Sequence, residues 1–144
     1  MRYPLLLLTL LVSPVLRGQG GVQWLEDLSL DAVQVRAAAA DRPVVLLFTS
    51  SVVMPCTYLE ETVLTDPLVA ETLREQFVCV RLPVTSAAGE KLLRRFGVEE
   101  LPSLLFLDAR GRLVARRAGV LPVAELALLL QEVDRPANHL VPLA

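Results

Sequence analysis

The stretch FTSSVVMPCTYLEETVLTDP, residues Phe48–Pro67, holds the key to this 144-residue chain. It leaves an apolar run, passes small hydroxyl residues, and reaches a Pro-Cys step that opens a helix-like segment, read as Pro55–Leu64. Upstream, "VVLLFTS" is a near-continuous apolar run of strand length, the pattern of a central strand covered on both faces. Downstream, "TDPLVAETLREQF" reads as a second helix, with Asp66 as its cap and Pro67 in the first helical position.

The rest of the chain extends this alternation. "WLEDLSLDAVQVRAAAADRP" carries Leu30, Val33, Ala37 and Ala40 at helical spacing, with Ser29 to cap the helix and Pro43 beyond its end. "FVCVRLPV" is a second buried strand, and Cys79 within it reads as a core residue. "AAGEKLLRRFGV" is a helix with Leu92, Leu93 and Phe96 turned inward and Gly97 as terminator. "PSLLFLDARGRLVARRAG" is a hairpin turning through Asp108–Gly111, and "PVAELALLLQEV" is a helix with Leu126, Leu129 and Leu130 inward. Strands separated by helices pair in parallel, while the hairpin adds antiparallel strands. The expected class is α/β, a mixed central sheet sandwiched by helices.

Residues 1–20 have the layout of a secretory signal peptide: Arg2, the apolar "PLLLLTLLV", then small residues around Gly18 and Gly20. Its apolar core is short for a membrane span. Removal after Gly20 leaves 124 residues, enough for one domain over 21–134 and a loose, proline-containing tail over 135–144. The expected location is periplasmic or otherwise secreted, with no membrane attachment after cleavage. The mean hydropathy of +0.52 is raised by the leader. Without Arg2 and Arg17, 12 basic side chains stand against 16 acidic ones, a formal balance of −4, and no basic patch with interleaved aromatics points to nucleic acid.

The chain carries two cysteines, Cys56 and Cys79, and one histidine, His139, in the tail. A structural zinc takes about four ligands, so no metal site is expected, and no cofactor motif is present. A Cys56–Cys79 bridge needs α-carbons within about 7 Å, which a helix start and a strand centre rarely offer. The acidic pairs Glu60–Glu61 and Glu99–Glu100 read as solvated faces.

Over residues 22–134 the chain resembles the thioredoxin-like family, in particular exported domains similar to the C-terminal domain of thiol:disulfide interchange proteins. "RPVVLLFTSS" looks like the family's central strand and "VMPC" like its Cys-x-x-Cys site. "FGVEELPSLLFLDARGRLV" looks like the segment bearing the family's cis-proline. Aligned this way, Val53 stands at the attacking cysteine, Cys56 at the resolving one and Val52 where tryptophan is frequent. Leu47 falls at a buried aspartate, and Leu101–Pro102 at the cis-proline step.

Dithiol exchange starts when a thiolate attacks a disulfide, and an isopropyl group has no electron pair to do so. The resemblance therefore implies a non-catalytic module that binds a peptide or protein, using Val52, Val53, Met54, Leu101 and Pro102. The alternative is a thiol-disulfide oxidoreductase acting as a monothiol through Cys56, against which burial of that thiol would weigh. Oligomeric state leaves no mark in the sequence.

Overall fold

The computed structural model describes residues 21–135; the proposed leader and almost all of the tail, His139 included, lie outside the described residues. Five α-helices and four strands follow the expected order: α1 (Leu30–Ala40), β1 (Val44–Thr49), α2 (Met54–Tyr58), α3 (Pro67–Gln76), β2 (Val78–Pro83), α4 (Ala87–Arg95), β3 (Ser103–Leu107), β4 (Leu113–Ala118) and α5 (Val123–Asp134). The sheet order is β2-β1-β3-β4. Strand β1 pairs parallel with β2, in register Val45↔Cys79, and antiparallel with β3, in register Phe48↔Ser103. Every residue of β1 is buried, as its unbroken apolar run requires.

Alternation along β1 divides the core in two. Val45 and Leu47 join Leu104 and Phe106 beneath Leu59, Leu73, Leu126 and Leu130 from α3, α5 and the segment after α2. Val44, Leu46 and Phe48 face the other way, against Leu30 and Val33 of α1 and Leu92 of α4. The result is a three-layer sandwich.

Local chemistry sets the boundaries. The Ser29 hydroxyl accepts from the Ala32 N–H at 3.2 Å. One Asp66 carboxylate oxygen accepts from Leu68 and Val69 at 3.0 and 3.2 Å, capping α3 just before Pro67. Gly97, at φ +61°, ends the α4 segment in the left-handed region that glycine adopts without strain. In the β3–β4 hairpin, Asp108 Oδ1 accepts from the N–H groups of Arg110 and Arg112, each at 2.9 Å.

Four expectations need correction. The helix read over Pro55–Leu64 is not uniform: α2 runs into a π-helical turn, Leu59–Val63, with Leu64 N–H donating to Leu59 C=O at 2.9 Å. The wider turn lets Leu59, Val63 and Leu64 all reach the core. Ala40, the last residue of α1 before the left-handed Asp41, is exposed. Leu93 and Phe96 are only half-buried and flank the core that Leu92 enters. Glu60 is not on a solvated face, as described below. The structure also adds one unexpected pairing: Leu25 forms a parallel bridge with Val80, its N–H donating to Cys79 C=O at 2.8 Å.

Candidate functional site

The candidate site lies where β1 ends and β3 begins. Continuing the antiparallel register from Phe48↔Ser103 brings Thr49 and Ser50 alongside Pro102 and Leu101. The topology thus places the loop into α2 next to the loop into β3, although the two are about 50 residues apart in sequence.

After Thr49 the chain turns sharply. Val53 N–H donates to Ser50 C=O at 3.3 Å, and Val52 N–H donates to the Ser50 hydroxyl at 3.4 Å. The turn leaves Val52 88% and Met54 80% exposed, with Tyr58 one turn on also exposed and Val53 half-buried. Exposed apolar side chains this close together mark an interaction surface more often than isolated ones do.

Val53 is the N-cap residue of α2, in an extended conformation (φ −105°, ψ 110°), with no side-chain oxygen to accept from the helix. Its carbonyl accepts from both Cys56 N–H (3.0 Å) and Thr57 N–H (3.4 Å), and Pro55 has no N–H to offer. Among the described residues, Met54 alone retains a free N–H at this helix start. Cys56 lies one turn in and is fully buried; both cysteines are free thiols.

The Leu101–Pro102 peptide is cis, and Pro102 is buried. Pro102 C=O accepts from Gly119 N–H at 2.8 Å, and the Ser103 hydroxyl donates to Glu100 C=O at 2.6 Å. These bonds tie the loop down on both sides of Leu101. Among the described residues, neither the N–H nor the C=O of Leu101 has a partner, and its side chain is half-buried.

Under the site runs a polar chain that the sequence reading missed. Glu60, at helical spacing (i+4) from Cys56, accepts from the fully buried Thr49 hydroxyl at 2.9 Å and from Arg81 Nε at 2.5 Å. Arg81 also donates through Nη1 to Glu26 at 3.0 Å. The Glu60 hydrogen bond, opposed by partial burial, holds the Arg81 proton more firmly than in water. The available signals were a threonine at the end of an otherwise apolar strand and an arginine within β2, each needing a partner once covered. Leu47, by contrast, is fully buried among apolar neighbours, with no polar group for the site to use.

Among the described residues, no cluster of histidine, cysteine and carboxylate side chains can hold a metal, and no helix is long and apolar enough to cross a membrane.

A family model described as a thioredoxin-like domain matches residues 30–134, from the first residue of α1 to the last of α5. This chain belongs to the thioredoxin-like family. The solution structure of a thioredoxin from Thermus thermophilus superposes on the thioredoxin-like domain with a TM-score of 0.68 at 29% identity, covering 79% of this chain and 88% of that one. A solution structure from Bacteroides thetaiotaomicron, titled a candidate disulphide isomerase, gives 0.67 at 27% identity and covers 78% and 93%. DsbH oxidoreductase, at 20% identity and a TM-score of 0.63, covers 81% and 88% and shares the fold. No curated protein sequence matches the chain significantly. The thioredoxin-like domain is thus related to disulfide oxidoreductases, and residue 53, where its site helix starts, is valine.

Proposed function

We propose that this thioredoxin-like protein is an exported, non-catalytic module that binds an extended segment of a peptide or protein. The observation that carries the reading is the pairing of an apolar lip, Val52–Met54, with the unpaired backbone of Leu101. An extended chain laid beside Leu101 would satisfy both free groups as an added strand does, and its side chains would cover the lip. Val53 supports the absence of exchange chemistry, since it supplies no thiolate to form a mixed disulfide. The inference of export to the periplasm or another secretory space rests on the leader-like residues 1–20.

The alternative, a monothiol reaction at Cys56, is weakened by complete burial of that side chain. Two assays separate the readings. In insulin reduction with dithiothreitol, the protein is expected to give no acceleration over the blank, and Val53→Cys to give a measurable one. Turnover by the unaltered protein at the level of a dithiol thioredoxin would overturn the proposal. Carboxymethylated insulin B chain, which has no reducible cysteine, serves as the extended probe. Titrated into ¹⁵N-labelled protein, it is expected to shift the amides of residues 51–54, Leu101 and Ser103. Saturable shifts confined to other surfaces would refute the groove.

A further inference from the structure

A second concavity lies at the opposite pole, where β1 begins. Arg42 N–H donates to Ala37 C=O at 3.1 Å, and Val78 N–H donates to Pro43 C=O at 2.9 Å, drawing the ends of α1 and α3 toward the start of β2. Between them lies a cleft of about 480 Å³. Its lining is apolar, with Leu25, Ala39, Ala40 and Val78 reaching the surface over the buried Leu73 and Phe77. Its rim carries Arg36, Arg42 and Arg74, and among the described residues no acidic side chain lines it.

The guanidinium groups of Arg36 and Arg42 are under-used. Among the described residues Arg36 forms no ion pair and no hydrogen bond. Arg42 donates a single long bond, Nη1 to Arg74 C=O at 3.4 Å. Each guanidinium has five N–H donors in a planar fork suited to two oxygens of one head group. Ordinary helix-end electrostatics accounts for Arg42 and Arg74, which sit beside the C-termini of α1 and α3. It leaves out Arg36, which precedes the last turn of α1.

We propose that this cleft is a ligand site for a small organic anion, an apolar body ending in a carboxylate-type head group. The body lies against Leu25, Ala39, Ala40 and Val78, and the head is held by the forks of Arg36 and Arg42, the geometry in which arginine outperforms lysine. Binding is non-covalent. Burial pushes the Cys79 thiol up to about 12, against a smaller opposing pull from Arg42, so Cys79 stays protonated and donates to Leu73 C=O at 3.5 Å. The six residues of β1 separate this cleft from the Val52–Met54 lip, roughly 17 Å at strand rise, so the two sites are independent.

The test is titration of octanoate into the ¹⁵N-labelled protein, with octan-1-ol as the uncharged match and acetate as the head group alone. Octanoate is expected to give saturable shifts at residues 39–42 and 73–79 and none at 52–54, Leu101 or Ser103. Octan-1-ol and acetate should each bind at least about tenfold more weakly, the factor expected for losing either a charge-assisted hydrogen bond or the apolar contact. Arg36→Gln, at an exposed position that does not threaten folding, should weaken octanoate by on the order of tenfold. Equal binding of octanoate and octan-1-ol, no saturable shift at the cleft, or unchanged octanoate affinity in Arg36→Gln would each overturn the proposal.

Discussion

Cys79 makes the stability of this domain depend on alkaline pH in a calculable way. Its thiol is almost fully buried, and desolvation raises it from 9.0 to about 12. The unfolded chain therefore releases this proton near pH 9, whereas the folded chain keeps it until near pH 12. Below pH 9 both states bind the proton and Cys79 contributes no pH dependence. Between the two values the unfolded state binds fewer protons, so folding stability falls as pH rises. At pH 10 the unfolded state has gained about 1 kcal/mol from this group alone, equivalent to about 4 °C in Tm for a domain near this size.

Urea unfolding at pH 8 and pH 10 measures the effect, with Cys79→Ala as the reference. The cavity that alanine leaves costs the same at both pH values, and the other titrating groups are common to both proteins, so the double difference isolates Cys79. The unaltered protein should lose about 1 kcal/mol more than Cys79→Ala over that interval. Parallel losses would mean that the folded thiol ionises normally, and the burial argument for its inertness would fail.

Three further outcomes follow from packing and capping. Gly89 lies in the first turn of α4, where an added Cβ would come within 1.9 Å of the Pro83 carbonyl oxygen; Gly89→Ala should destabilise by about 1–3 kcal/mol in urea titration, despite alanine's better helix propensity. Phe106→Ala removes a fully buried ring set edge-on to Phe77 at a centroid distance of 6.3 Å, and should cost about 3–5 kcal/mol in the same assay. Asp66→Ala deletes the oxygen that accepts two N–H groups of α3, for a loss of about 1 kcal/mol that Asp66→Asn should largely spare.

The element order was legible because its signals are local. Ser29, Asp66 and Gly97 act on neighbours within four residues, and the all-apolar β1 announces a strand covered on both faces. What escaped depends on partners distant in sequence. Arg81 meets Glu60 across 21 residues and Glu26 across 55, so Glu60 beside Glu61 looked like one more solvated acid. The Leu25–Val80 bridge is equally non-local, and too short to show a strand period. Within the candidate site, Val53 and Pro102 stood out only through the resemblance of VMPC and Leu101–Pro102 to the family's motifs. The free backbone of Leu101 was implied by the same resemblance and not by the residues themselves, because an unmade hydrogen bond has no sequence signature.

The π turn at Leu59–Val63 amounts to one residue more than a regular helix would hold between Cys56 and the core-facing Leu64. Deleting a residue there, Thr62 for example, would let the segment close as regular helix with Cys56 and Leu64 keeping their facings, whereas the same deletion from a regular helix would turn everything beyond it by about 100°. The bulge thus absorbs a phase mismatch: the segment that shapes the lip and the segment that anchors α3 each keep their own rotational setting. Sequence changes at one end need not be answered at the other, a freedom that a regular helix of this length would deny.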